Sequence, residues 1–184
     1  MLFLGCLAFA LFFLGDINDC KLHQKLLTFS FPAGALLLCV ALAFQLDTAG
    51  APVSGLFERI LLFIALAVFA ALLIYSLFFA FPVSSAYAAP GEKRPACTDG
   101  VYALCRHPGV LWLFFVMLCL SLVGGLPFSA LFIYTALNLL LVLFEDRYAF
   151  PLLITGYAEY RRDTPFLIPT RDSITKCLRG KNTD

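Results

Sequence analysis

Two adjacent pairs of ionisable residues stand out in a chain with few charges. Arg106-His107 closes the stretch Gly100-Val101-Tyr102-Ala103-Leu104-Cys105-Arg106-His107-Pro108, just before a long apolar run. Glu145-Asp146, with Arg147 beside them, directly follows another apolar run. Proline suits the first turn of a helix, so a helix is expected to begin near Pro108. The N-terminal end of that helix carries partial positive charge, and Arg106 adds to it, which favours an anionic guest. The two carboxylates offer a seat to a cation such as an ammonium. His107 and Glu145 are the candidates for taking a proton.

A third constellation is Gly156-Tyr157-Ala158-Glu159-Tyr160-Arg161-Arg162-Asp163-Thr164-Pro165. Three- and four-residue spacing puts Tyr157, Tyr160 and Arg161 on one face of a short helix. Such a piece can lie on a membrane surface or fold over a site as a cover. Each group also has a plainer reading. Arg106 and His107 can be interfacial anchors that reach for headgroups, and Glu145 to Arg147 can be a self-neutralising helix end.

The elements that must position these residues are membrane helices. The chain is 61% hydrophobic and 14% charged, with 20 Phe in 184 residues and a mean hydropathy of +0.90. A soluble surface needs far more charge than this. Five apolar runs, at about 1–15, 29–46, 58–81, 109–125 and 127–144, each approach the ~20 residues that cross a bilayer. The expected fold is therefore all-α and polytopic, with about five transmembrane helices. Gly124-Gly125-Leu126-Pro127 makes the last two a tight helical hairpin. The first run lacks a basic leader and reads as a retained span rather than a cleaved signal. One integral membrane domain covers 1–184: N-terminal spans at 1–81, a functional core at 82–170, and a polar, poorly ordered tail at 171–184, preceded by the amphipathic C-terminal segment.

In this five-span arrangement every Lys and Arg except Arg59 falls on one side of the membrane. The positive-inside rule then puts the amino terminus outside and the carboxyl terminus in the cytoplasm, in a plasma (inner) membrane. All three constellations share that cytoplasmic face. The net charge of +1 and the absence of a basic stripe give no sign of a nucleic-acid partner. The seven cysteines show no CxxC spacing and several lie within apolar runs, so neither a metal site nor a disulfide framework is expected.

At these residues the chain resembles the integral membrane methyltransferases typified by isoprenylcysteine carboxyl methyltransferase, and the related phospholipid methyltransferases. The likeness is an ordered set: GVYALCRHP, a hydrophobic hairpin, an acidic cluster, then GYAEYRRDTPFLIP, spanning Gly100 to Pro169. The resemblance implies S-adenosylmethionine as cofactor. It implies that Gly100, Tyr102, Arg106, His107, Pro108, Gly109 and Val110 line the cofactor together with Tyr157 and Tyr160. Glu145 would be the acid that contacts it, with Asp146 as the fallback. The implied activity is methyl transfer to a small lipophilic or lipid acceptor. In that family RHP is usually followed by x-Tyr-x-Gly, whereas here Gly109-Val110-Leu111-Trp112 follows. The prenylcysteine enzymes place an arginine a turn before the acid, and Asn138 to Phe144 contains none. Arg147 and Trp112 are left as the acceptor-side residues.

Two rival readings belong to other classes. An NADPH-dependent reductase of the steroid-reductase type resembles P-N-Y-x-x-E after the proline, and neither that tyrosine nor that glutamate is present. A non-enzymatic membrane scaffold would use the same polar residues only as interfacial anchors. A soluble-type methyltransferase lacks any strand, glycine-rich loop and helix unit to stand on.

Overall fold

A computed structural model describes residues 1–80 and 93–179 of the chain. The first part of the expected functional core, 82–92, and the last residues of the tail, 180–184, lie outside the described residues. The fold is all-α apart from one two-residue parallel pairing. Four helical stretches are long and apolar enough to cross a membrane: Leu2–Leu22, Lys25–Ala43, Leu56–Phe79 and Phe128–Leu153. The apolar helix Pro108–Val123 is shorter than these. Of the five expected runs, four therefore meet the length for a span, and the one behind Pro108 stops short of it.

Helix α1 (Leu2–Ile17) runs on through one wide turn at Asn18–Leu22, beyond its expected end at about residue 15. Asn18 and His23 stop it. The buried Asn18 carboxamide oxygen accepts from the Gln24 N–H at 2.8 Å, and His23 takes a left-handed conformation. A side-chain acceptor and a left-handed residue satisfy groups that a helix end would otherwise leave open. A short tight turn over Lys25–Phe29 then leads into α2 (Ser30–Ala43), which packs back on α1.

Helix α3 (Leu56–Ile74) has no buried residue and packs on α5 (Pro108–Val123); a wide turn extends it through Phe79 and buries Ser76. Phe57, Phe63, Ile64 and Val68 stand exposed along it. An apolar face of this length makes physical sense against lipid tails, where exposure costs nothing. Between α3 and α5 lies the single turn α4 (Val101–Leu104).

The hairpin expected at Gly124–Pro127 is present, joining α5 to α6 (Phe128–Phe144). Gly125 has φ +68, and a Cβ there would run into the Asp47 carbonyl oxygen, so the turn needs glycine. The core is built where α1, α2, α5 and α6 meet, around Phe9, Leu38, Met117, Leu131 and Tyr134. Tyr134 ties the starts of α6 and α1 together, its hydroxyl donating to the Leu2 carbonyl at 3.2 Å. At the other end of the same two helices the Lys21 ammonium lies 5.2 Å from the Tyr148 ring centre. Helices α1 and α6 therefore run parallel, and their carboxyl-terminal ends share one end of the bundle.

After α6 a wide turn over Glu145–Ala149 leads to the short α7 (Phe150–Leu153). Strand β1 (Arg94–Pro95) pairs in parallel with β2 (Ile154–Thr155), fastening the approach to α5 against the segment leaving α7. Helix α8 (Tyr157–Asp163) follows, then α9 (Arg171–Arg179). Residues 171–179 were expected to be a loose polar end. They form a helix because α9 docks on α4, buries Ser173, and caps itself: the Thr170 N–H donates to Ser173 Oγ at 2.9 Å and the Ser173 N–H to Thr170 Oγ1 at 3.2 Å.

Candidate functional site

The sequence pairs meet at the end of the bundle where α5 starts and α6 finishes. Proline at the first position of α5 needs no N–H partner, and the preceding His107 carbonyl accepts from the Val110 N–H at 3.2 Å. This start points Arg106 and His107 back toward the end of α6. Arg106 is 9% exposed, His107 5% and Asp146 3%. Burial of that degree demands partners, since an unpaired buried charge is expensive.

Arg106 has all of them. Its Nε donates to Asp146 Oδ1 at 2.7 Å, and Nη2 reaches Asp146 Oδ2 at 3.3 Å. Nη1 donates to the carbonyls of Arg161 at 2.6 Å and Thr164 at 2.7 Å, which α8 leaves open at its carboxyl-terminal end. The Arg106 backbone N–H adds a bond to the Pro165 carbonyl at 2.9 Å. Asp146 is equally occupied: Tyr157 donates to its Oδ1 at 2.6 Å, and Arg161 Nε lies 3.4 Å from its Oδ2. These contacts clamp α8 onto the start of α5 and the end of α6.

His107 and Glu145 are placed differently. His107 Nδ1 lies 3.5 Å from Glu145 Oε2, and its Nε2 lies 3.6 Å from Asp146 Oδ1. Both separations are long for a hydrogen bond, and Nε2 is buried without a hydrogen-bond partner. Phe150 stacks on the imidazole with ring centres 5.6 Å apart, and Phe166 meets it edge-on at 5.1 Å. Burial pulls the imidazole pKa down, but the Asp146 and Glu145 carboxylates outweigh it, so His107 sits above its usual value of 6.5. The Glu145 side chain is 18% exposed, the only one of these four acidic and basic groups with an open side.

The tyrosines form a second line of support. Tyr102 donates to the Ser76 carbonyl at 2.9 Å, and Tyr160 donates to the Tyr102 carbonyl at 2.8 Å, linking α3, α4 and α8. Burial foremost raises the phenol pKa of Tyr102, Tyr157 and Tyr160, so all three stay neutral donors; for Tyr157 the bond to Asp146 adds to this. Tyr157 and Tyr160 are buried side by side, on the shared face that their spacing predicted.

The remaining residues divide. Gly100, at φ +57, opens α4, in a backbone state that favours glycine. Gly109 lies against Leu73 and Leu77 of α3, and Val110 and Pro108 are buried at the start of α5. Trp112 stacks on Phe69 in the contact between α3 and α5, its Nε1 buried without a hydrogen-bond partner. Arg147 is exposed and makes no ion pair among the described residues, so it is not drawn into the cluster.

Three residues at this end escaped the sequence reading. Phe150 and Phe166 flank His107, and Phe166 also lies 5.5 Å from the Arg106 guanidinium carbon. Asp16, inside the first span, has a buried Oδ2 with no hydrogen-bond partner. A carboxylate in an apolar span is itself a signal, because such groups are costly in a membrane unless used. The two phenylalanines carried none among 20 of their kind. Among the described residues no group of three or more His, Cys, Asp or Glu is arranged to hold a metal ion.

No protein-family model, curated protein or solved structure matches this chain.

Proposed function

We propose that the chain is an S-adenosylmethionine-dependent integral membrane methyltransferase acting on a small lipophilic or lipid acceptor at the cytoplasmic face. The observation that carries this reading is the convergence of GVYALCRHP, the Glu145-Asp146 pair and GYAEYRRDTP at one end of the bundle. The fit to the cofactor rests on the pair that the fold leaves incomplete: a buried imidazole nitrogen without a partner, aromatic rings against it, and one partly open carboxylate.

The cofactor supplies a methyl group on a positively charged sulfonium. The protein has to orient two reactants and exclude water. Glu145 holds positive charge on its open side. His107, held by Phe150 and Phe166, is the group that receives a proton when the acceptor has one to lose. Arg106 and Asp146 fix the position of both without being spent on a ligand. Apolar spans on either side admit an acceptor from the lipid. In the five-span arrangement every Lys and Arg except Arg59 falls on this side, which supports its assignment to the cytoplasm.

A second reading has its own support. Arg106, Asp146 and Tyr157 are so fully satisfied by one another that they need no ligand, as a structural clasp in a scaffold would be. Thermal protection of the purified protein separates these readings. S-adenosylhomocysteine is expected to raise the melting temperature and NADPH to leave it unchanged. Protection by NADPH instead would indicate a reductase, and protection by neither would leave the scaffold. Incubation with labelled S-adenosylmethionine and host lipid extract then identifies the acceptor as the labelled product.

A further inference from the structure

Apart from the His107–Glu145 pair, the same end of the bundle holds a cleft. A cleft of about 390 Å³ opens between α8 and α9, and neither His107 nor Glu145 lines it. Four cationic side chains do: Arg106, Arg161, Arg162 and Lys176. Among the described residues the acids on its walls are Asp163 and Asp172. Counting Asp146, which backs Arg106 and Arg161 from behind, the surroundings keep an excess of positive charge.

The cations differ in how free they are. Arg106 is the rigid floor, nine-tenths buried and held by Asp146 and two carbonyls. Arg161 Nε lies 3.4 Å from Asp146 Oδ2, and its side chain is 41% exposed. Arg162 touches only the neighbouring Asp163, at 3.3 Å, and Lys176 has no ion pair among the described residues. Three donors approaching from two helices suit a tetrahedral group with several acceptor oxygens better than a flat carboxylate with two. The cleft lies beside the first residues of α5 and the last of α6, the level at which headgroups meet a spanning helix.

We propose that this cleft binds one phosphate group, carried by an anionic lipid headgroup or by a soluble phosphate. The proposal is independent of methyl transfer, and its test reads binding alone. The full chain in detergent is titrated with inorganic phosphate by calorimetry, and with phosphatidylglycerol or diacylglycerol in the micelle by native mass spectrometry. One saturable phosphate or phosphatidylglycerol is expected, and no retained diacylglycerol. Binding of phosphatidylglycerol that inorganic phosphate does not displace identifies the lipid as the source; displacement identifies the soluble ion. The Arg162→Gln/Lys176→Gln variant is expected to bind at least ~10-fold more weakly, given the worth of each basic residue near an anionic surface. Arg59→Gln, a charge removed at the opposite end, is expected to bind as the unaltered protein does. Should the double variant fail to fold, Arg162→Lys/Lys176→Arg must retain binding within about threefold, since the charge is kept. Failure of both probes to bind, or unchanged binding by the double glutamine variant, overturns the proposal.

Discussion

Arg106 and His107 are neighbours in the chain, as are Glu145 and Asp146, yet the two cross-pairs they form are unlike. Arg106 and Asp146 close on each other at 2.7 Å, and both also bond to α8 or the residue that ends it. His107 and Glu145 stop at 3.5 Å, with one imidazole nitrogen unpaired and one carboxylate partly open. The difference separates two jobs within four residues. A fully satisfied buried ion pair holds elements in place but has nothing left to offer a ligand. A buried polar atom without a partner is a cost that a folded protein carries where something is meant to bind.

The sharpest way to break this comparison is to remove the closed pair. Asp146→Ala leaves the Arg106 guanidinium buried without its carboxylate and is expected to cost about 3–5 kcal/mol, measured by denaturation in micelles. A loss below ~1 kcal/mol, the worth of an exposed pair, would show that Arg106 is not held as described. Glu145→Gln is the converse. It is expected to leave stability within ~1 kcal/mol, the scale of a partly exposed pair, while slowing the proposed methyl transfer about 100-fold or more, the scale of losing a group that stabilises charge at a reacting centre. An unfolded Glu145→Gln protein would erase the distinction between the pairs.

Tyr157→Phe tests the clasp at its edge. It deletes one 2.6 Å bond to an ionised acceptor, for an expected loss of ~1.5–3 kcal/mol, with methyl transfer kept in whatever fraction stays folded. The smallest effect is the pH dependence of His107. Its folded pKa is raised above 6.5. The stability it contributes is therefore complete below the unfolded value and is lost as pH rises through the folded one. The melting temperature is expected to fall as pH rises above about 6.5, the ordinary histidine value. His107→Gln should flatten that slope; a slope that persists in the variant would assign it to another group.

Much of the fold was legible in the sequence. Apolar runs mark helices because an apolar stretch of this length has no other stable home, and Gly124-Gly125-Leu126-Pro127 marks a turn because its backbone allows little else. The shortness of Pro108–Val123 was legible in its two ends, the proline start and the Gly124 turn, yet a run of that length sits at the lower edge of what crosses a bilayer and so counts as a span on composition alone. The candidate site was legible as a set of residues but not as a division of labour. Glu145 and Asp146 look interchangeable in one dimension. The helix of Arg171–Arg179 was also hidden, since its polar residues reveal a docked face only once α4 is beside it.

The sequence by itself determined that this chain is helical, apolar enough for a membrane, and charged chiefly at the helix ends. Those properties depend on residue types and near neighbours, which a linear reading sees. Only the tertiary structure decided that Asp146 is buried in a clasp while Glu145 keeps an open side. Successive residues on a helix point about 100° apart, so which of two adjacent acids faces Arg106 depends on the rotation of α6 against α5. The partners that complete the clasp, Tyr157, Arg161 and Thr164, arrive from α8, up to 58 residues away from Arg106 in the chain.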